Sequence, residues 1–327
     1  MQALGEFELI QRFFTRPARN AALGVGDDCA LLNVRPGMQL AVSSDMLVQG
    51  RHFLPTVDPV LLGHKALAVN LSDLAACGAR PLAFTLALAL PEADAQWLQG
   101  FSKGLLDLAD EHGCELIGGD TTKGPLTICI TVMGEVPSGK ALLRSGARPG
   151  QDLYVSGSLG DARLALEVFR GTLSVSAPAF EQARARMERP TPRVALGQAL
   201  RGLATAAIDI SDGLLGDLQH ILDQSGVAAT VEANAVQSLM TTNQAAPGCN
   251  QLTPAKRLEF TLCGGDDYEL LFTAPREQRA ALLALAQTCA TPVTRIGSIR
   301  AGSGVQVVDA SGNPMALNLS GFDHFRT

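Results

Sequence analysis

"DPVLLGHKALAVNLSDLAACGARPLAFTLALAL", residues 58–90, decides the fold. Asp58-Pro59 is a helix start: the proline lacks an N–H that the first turn would leave unused anyway. A helix is therefore expected over 58–79. The run at 81–90 is almost wholly apolar and reads as a buried strand. "DAQWLQGFSKGLLDLADEHG" (94–113) follows as a second helix, closed by Gly113. Strands are expected at 114–118 and 125–136, an earlier strand at 38–45, and an amphipathic helix around 5–16. Helices alternate with strands until two strands come close together. That order predicts a mixed sheet with helices on one face.

Residues 137–150, "PSGKALLRSGARPG", are rich in Pro, Gly and Ser and mark a domain boundary. The expected division is 1–137 and 138–327. Beyond the boundary come a strand at "DLYVSG", a helix from 160, two helices within 178–203 and a strand at "TAAIDI". A helix at "GLLGDLQHILDQSG" and further strands, including 258–263 and 293–299, complete a second α/β unit. Residues 233–256 have weak periodicity and are assigned no elements.

The 327 residues are 46% hydrophobic, enough to bury a core, and the net charge of −6 lacks the basic footprint of a nucleic-acid binder. Seven cysteines form no C-x-x-C pair and lie in apolar surroundings, as expected of reduced thiols in the cytoplasm. Glu6 and Glu8 stand where a signal peptide needs bases. The longest apolar run, 82–90, is too short to span a bilayer. No membrane association is expected.

Within 58–90, "AVNLSDLAACGARP" (68–81) carries one carboxylate, Asp73, in apolar company, with Lys65 and Arg80 its nearest bases in sequence. A buried carboxylate is costly unless it is hydrogen-bonded, paired or bound to a cation. Asp73 belongs to a recurring pattern of an apolar element, a small residue, then Asp. The stations are "GVGDDCALL" (24–32), "AVSSDML" (41–47), "NLSDLAA" (70–76), "LIGGDTT" (116–122), "AIDISDGLL" (207–215) and "LCGGDDYELLF" (262–272). Eight of the 19 Asp residues directly follow Gly or Ser. Composition alone would give roughly three, so turn and cap preferences account for only part of the excess. "SGSLGDARLA" (156–165) reads as such a cap, with Asp161 beginning a helix.

Converging carboxylates repel one another and require cations. The five histidines are scattered without H-E-x-x-H or Cys/His ligand spacing, which excludes a zinc site of the usual kind. Oxygen ligands select Mg²⁺ or Ca²⁺. "DISDGLLGDLQH" is no EF-hand loop, since Gly213 comes one position early and the closing Glu is missing. Mg²⁺ shares its ligands with substrate phosphates, which points to a nucleoside triphosphate. "GEVPSGKA" (134–141) imitates a P-loop, but Ala141 stands where Ser or Thr should hold the metal, and a poor helix follows.

In their order, the stations resemble the thiamine-monophosphate kinases, in the superfamily that includes aminoimidazole ribonucleotide synthetase and selenophosphate synthetase. The resemblance is carried by "GVGDDCA" (24–30), "SSDMLVQGRHF" (43–53), "KALAVNLSDLAACGARP" (65–81) and "LIGGDTTKG" (116–124). It continues through "RSGARPGQDLYVSG" (144–157), "IDISDGL" (208–214), "GGDDYEL" (264–270) and "GFDHF" (321–325). It implies a two-domain PurM-like fold of α/β (α+β) type. The N-terminal domain would bind ATP and Mg²⁺ and pair its sheet with a second subunit in a homodimer. The C-terminal α/β domain would complete the cleft for nucleotide and substrate. The implied reaction converts ATP and thiamine monophosphate to ADP and thiamine diphosphate. Asp28, Ser43, Ser44, Asp45, Asp73, Asp120, Asp209 and Asp212 match positions that hold several Mg²⁺ ions. Gly119, Asp120, Arg144 and Ser211 match ATP contacts; His52, Asp266 and Phe322 match contacts to the acceptor. Position 266 is often Glu in the family and is Asp here, and Phe322 lacks the hydroxyl of a Tyr.

The rivals fit less well. A selenophosphate synthetase would need a reactive Cys in a Gly-rich segment before Gly24, and none is there. "GGDDYEL" and "GFDHF" disfavour a ligase of the aminoimidazole ribonucleotide type. A divalent-metal-binding protein without turnover is the alternative outside enzymes.

Overall fold

The computed structural model describes residues 5–243 and 252–316. The described residues divide into two compact units, one within Met1–Leu74 and Ala79–Lys140, the other within Ala75–Gly78 and Ala141–Thr327.

The first unit opens with a short helix, α1 (Glu6–Leu9), which runs into a π-helical turn, Ile10–Phe14. It continues through β1 (Met38–Val48), α2 (Pro59–Ala76), β2 (Arg80–Leu90), α3 (Ala95–His112), β3 (Glu115–Lys123) and β4 (Thr127–Pro137). Asp58 caps α2 by accepting the Val60 N–H at 2.8 Å. Asp94 caps α3, and Gly113 closes it in the left-handed conformation. The strands form one mixed sheet in the order β1-β4-β2-β3, in which only β2 and β3 run parallel.

The pleat gives this sheet two different faces. Phe84, Leu86, Leu88 and Leu90 are buried, as are their neighbours Ile128, Ile130 and Val132. α2 packs on that side, where the Leu74 side chain closes on Gly134 of β4. α3 packs closely on α2, since a Cβ at Gly63 would meet the Phe101 carbonyl at 2.0 Å. On the opposite face, Leu40, Val42 and Met46 of the edge strand β1 are exposed.

The second unit contains β5 (Asp152–Ser156), α4 (Asp161–Phe169), α5 (Ala177–Glu188), α6 (Val194–Leu200), β6 (Ala206–Asp209) and α7 (Leu214–Ser225). β7 (Ala228–Glu232), α8 (Ala233–Gln237), α9 (Pro254–Cys263), β8 (Leu270–Ala274), α10 (Arg279–Thr288), β9 (Val293–Arg300) and β10 (Gly304–Val308) follow. Its six-stranded sheet has the order β10-β7-β9-β5-β8-β6. Leu153, Val155, Ile208, Leu271 and Ile296 of this sheet pack against Leu214, Leu218 and Ile221 of α7 in one core.

Three expectations are corrected. Residues 233–256, assigned no elements above, hold α8 and the start of α9. Residues 258–263 are helical, lying in α9 rather than in a strand. Thr253 caps that helix by accepting the Lys256 N–H, and Pro254 begins it, so local cap chemistry outweighs a short apolar run. β3 extends to Lys123 instead of ending at 118, so Gly119 and Asp120 lie within the strand. No helix follows "GEVPSGKA", consistent with its rejection as a P-loop.

Candidate active site

In the first unit, the loop carrying Asp27 and Asp28 is a narrow hairpin, pinned where the Leu31 N–H donates to the Leu23 carbonyl at 2.9 Å. It faces the middle of β3, and Asp27, Asp28, Gly119 and Asp120 line one cavity of about 760 Å³. Phe7, Ile10 and Phe14 supply its apolar wall. Gly119 is at φ 147°, where a Cβ would lie 1.8 Å from the Leu86 carbonyl oxygen. Only glycine lets β3 run that close to β2 and keep Asp120 at the cavity rim.

A second group forms between β1 and α2. The pleat turns Ser43 and Asp45 toward the helix-covered face, in register with the buried Val132 and Ile130. There the Ser43 hydroxyl donates to Asp73 Oδ2, and the Asp45 N–H donates to Asn70 Oδ1 at 3.2 Å. Ser44 points to the other face, where its hydroxyl bonds Thr131 Oγ1 at 3.0 Å and the Ile130 carbonyl at 3.1 Å. The Ser44 side chain is therefore separated from the Ser43–Asp45–Asp73 group. His52 sits in the turn after β1, its Nδ1 accepting the Val48 N–H at 3.0 Å. In the neutral imidazole that bond places the ring proton on Nε2.

In the second unit, Asp209 ends β6 and is buried. Just beyond it, the Ser211 and Asp212 N–H groups both donate to Asp217 Oδ2 at 3.1 Å. Burial, then the neighbouring Asp212 charge, pushes the Asp217 carboxyl up to about 7. Asp266 joins this station through its N–H, which donates to the Ser211 carbonyl at 2.8 Å. Arg144 is exposed, and one hydroxyl steadies its backbone. Ser225 Oγ donates to the Arg144 carbonyl and accepts the Gly146 and Ala147 N–H groups.

The AIR synthase related protein family matches this chain in both parts, its N-terminal domain at residues 26–136 and its C-terminal domain at 148–310. Thiamine-monophosphate kinase of Salmonella typhimurium is 46% identical over 99% of each chain. The chain belongs to the thiamine-monophosphate kinase family. A crystal structure of the family member from Stenotrophomonas maltophilia K279a superposes with a TM-score of 0.81 at 48% identity, covering 88% of this chain and 91% of that one. The structure of AaThiL complexed with AMPPCP and TMP gives a TM-score of 0.74 at 29% identity, covering 90% and 89%.

The residues expected from the family pattern fall into separate stations. Asp28, Gly119 and Asp120 share the cavity; Ser43, Asp45 and Asp73 share the helix-covered face of the sheet. Asp209, Ser211, Asp212 and Asp266 gather beside α7. Phe322 lies outside the described residues. Among the described residues, no three His, Cys, Asp or Glu side chains form a ready metal cage. Asp45, Asp120 and Asp209 are held by strands and Asp73 by a helix, whereas Asp28, Asp212 and Asp266 lie in loops. An ion that keeps waters and shares phosphate oxygens does not require an all-protein cage. Sequence reasoning missed Asn70, Asp217 and Ser225. For Asp217 a signal existed: a carboxylate in the first turn of α7 can accept the N–H groups the helix start leaves unpaired.

Proposed function

We propose that this protein transfers the γ-phosphoryl group of ATP to thiamine monophosphate, yielding ADP and thiamine diphosphate. The observation that carries the proposal is the 46% identity, over 99% of both chains, to the Salmonella enzyme. The solved complex of a relative with AMPPCP and TMP supports ATP and thiamine monophosphate as the substrate pair.

A phosphate oxygen of the acceptor attacks the γ-phosphorus in line, and the bond to the β-phosphate oxygen breaks. The second pKa of a phosphate monoester is about 6, so that oxygen is already ionised at neutral pH. No general base is needed, and no residue is assigned that role. The difficulty is electrostatic, because two polyanions must meet. The donors at Asp28, Ser43, Ser44, Asp45, Asp73, Asp120, Asp209 and Asp212 are oxygens without His or Cys, a set that fits Mg²⁺. When bound, Mg²⁺ supplies charge neutralisation on the phosphates. Ser43 orients Asp73, and Asn70 fixes the backbone at Asp45. Gly119, Asp120, Arg144 and Ser211 contact ATP, with the Arg144 guanidinium suited to phosphate oxygens. His52, Asp266 and Phe322 hold the acceptor.

We assign residues 1–137 to nucleotide and metal binding and to dimerisation, and 138–327 to completing the substrate site. The exposed Leu40, Val42 and Met46 on the open face of β1 support a homodimer, since an apolar edge strand calls for cover. The described cysteines form no disulfide, and no described helix is long and apolar enough to cross a membrane. We place this ATP-consuming enzyme in the cytoplasm. The test is ADP release with and without thiamine monophosphate in the presence of Mg²⁺. Release independent of the acceptor, or no release, refutes the kinase.

A further inference from the structure

"GGDDYEL" (264–270) enters the proposed site through Asp266 alone, yet the whole loop is built around how that residue is held. Asp266 has φ 71° and Tyr268 φ 50°, a backbone region that L side chains rarely adopt. Such a conformation persists only where the surroundings over-determine it. Here the alternate residues do so. Asp267 is buried, its carboxylate accepting the Gly160 N–H at 3.0 and 3.1 Å. Glu269 is fully buried and accepts from Ser156 Oγ, Arg186 and Arg193 at 2.6–2.7 Å. The backbone is tied as well. The Tyr268 N–H donates to the Ile210 carbonyl, and the Ile210 N–H donates to the Glu269 carbonyl, both at 2.8 Å.

With the inward residues anchored, the two left-handed residues bring their side chains together. The Tyr268 hydroxyl donates to Asp266 Oδ1 at 3.0 Å. Neither residue is buried. The loop's path is already set by Asp267 and Glu269, so this bond is not what holds the backbone. What it fixes is the rotation of one carboxylate. Asp266 is a methylene shorter than the Glu common at this position in the family, and the Tyr268 hydroxyl meets its carboxylate directly.

We propose that Tyr268 is a positioning residue, whose hydroxyl fixes the Asp266 carboxylate for binding the cationic heterocycle of the acceptor. The inference rests on the function proposed above and on the assignment of Asp266 to the acceptor. Tyr268 touches neither the reacting phosphorus nor ATP in this reading, so its effect falls on acceptor affinity.

Steady-state kinetics of Tyr268→Phe, Asp266→Asn and the double variant test this. Tyr268→Phe removes only the hydroxyl. We expect the KM for thiamine monophosphate to rise at least about tenfold, given the strength of hydrogen bonds to charged groups. The kcat, the KM for ATP and the melting temperature stay at wild-type values. In the Asp266→Asn background the same change should add nothing, because the tether has lost its object. An unchanged acceptor KM, an equal loss in both backgrounds, or a fall in kcat together with melting temperature overturns the inference while wild-type turnover stands. Absence of wild-type turnover overturns the kinase reading, and this inference with it.

Discussion

Replacing Gly119 with Ala tests the link between strand packing and the site. At φ 147° an alanine is strained, and its Cβ would sit 1.8, 2.6 and 2.8 Å from the backbone O, C and N of Leu86. All three are main-chain atoms of β2, so no flexible side chain can give way. To reach even 3.0 Å from the carbonyl oxygen, β3 must retreat by about 1.2 Å, an overpacking shift of the kind that costs about 1–3 kcal/mol. An unfavourable φ adds about 1–2 kcal/mol, giving roughly 2–5 kcal/mol. The next residue is Asp120, and displacements near 1 Å at a positioned group cost about a hundredfold in rate. Trp97 is the only tryptophan, and it stacks on Phe101 in α3, so its fluorescence follows urea unfolding of the first unit. Gly139→Ala is the control. It shares a positive φ of 72° but has nothing within 4 Å of the added methyl. We expect it to lose only about 1–2 kcal/mol and no turnover. Gly119→Ala with wild-type stability and turnover, or a loss no larger than the control's, would refute the close-approach argument.

Three further outcomes are expected. Asp45→Asn and Asp73→Asn should each lower turnover by at least a hundredfold while circular dichroism shows a folded chain; near-normal rates in both would remove the β1–α2 group from the site. Adding Mg²⁺ should raise the melting temperature and EDTA should reverse it, with about 2.7 kcal/mol gained at 100 times Kd; identical melting curves would count against a metal site. The Asp152 carboxyl is held below its usual range by its hydrogen bonds to Arg279. Its contribution to stability is therefore present above the unfolded value near 4, and is lost as the pH falls through the lower folded value. Urea midpoints measured from pH 7 down to pH 3 should fall less steeply for Asp152→Asn than for wild type, and parallel curves would contradict the ion pair's role.

The first unit's fold was largely legible because its signals are local. Asp58-Pro59, Asp94 and Gly113 punctuate helices by cap chemistry that needs no tertiary partner. The apolar strand 81–90 could hardly be anything else between two such helices. "LEFTLC" was not legible as an isolated run, since six apolar-rich residues suit a strand or a buried helix equally, although Thr253-Pro254 held the deciding cap. The site was legible in residue type more than in direction. Ser43, Ser44 and Asp45 are consecutive in a strand, and a period of two forbids all three side chains one face. That the odd pair meets α2, and so Asp73, depends on which face the helices cover. No spacing in the sequence carries that information. Asn70 and Ser225 were invisible for the same reason, since each acts on a segment far away in the chain.

The excess of Asp after Gly or Ser has two causes, which separate once the neighbours are known. Packing dictates the small residue. A Cβ at Gly265 would meet the Ser211 carbonyl oxygen at 2.4 Å, and one at Gly119 would meet the Leu86 carbonyl oxygen at 1.8 Å. These are places where one backbone runs close to another. The carboxylate that follows is then free to serve either structure or chemistry. Asp161 shows the structural outcome. It begins α4 behind the left-handed Gly160 and is fully buried. Both its oxygens are engaged by the N–H and hydroxyl groups of Thr241 and Thr242. Asp27 and Asp120 also directly follow a glycine but are exposed and line the cavity. A carboxylate saturated by protein donors has no lone pairs left for a cation, whereas one at a cavity rim can share them with metal and phosphate. Asp73 stands between these limits. It is half-buried, and the Ser43 hydroxyl donates to its Oδ2 and orients the group.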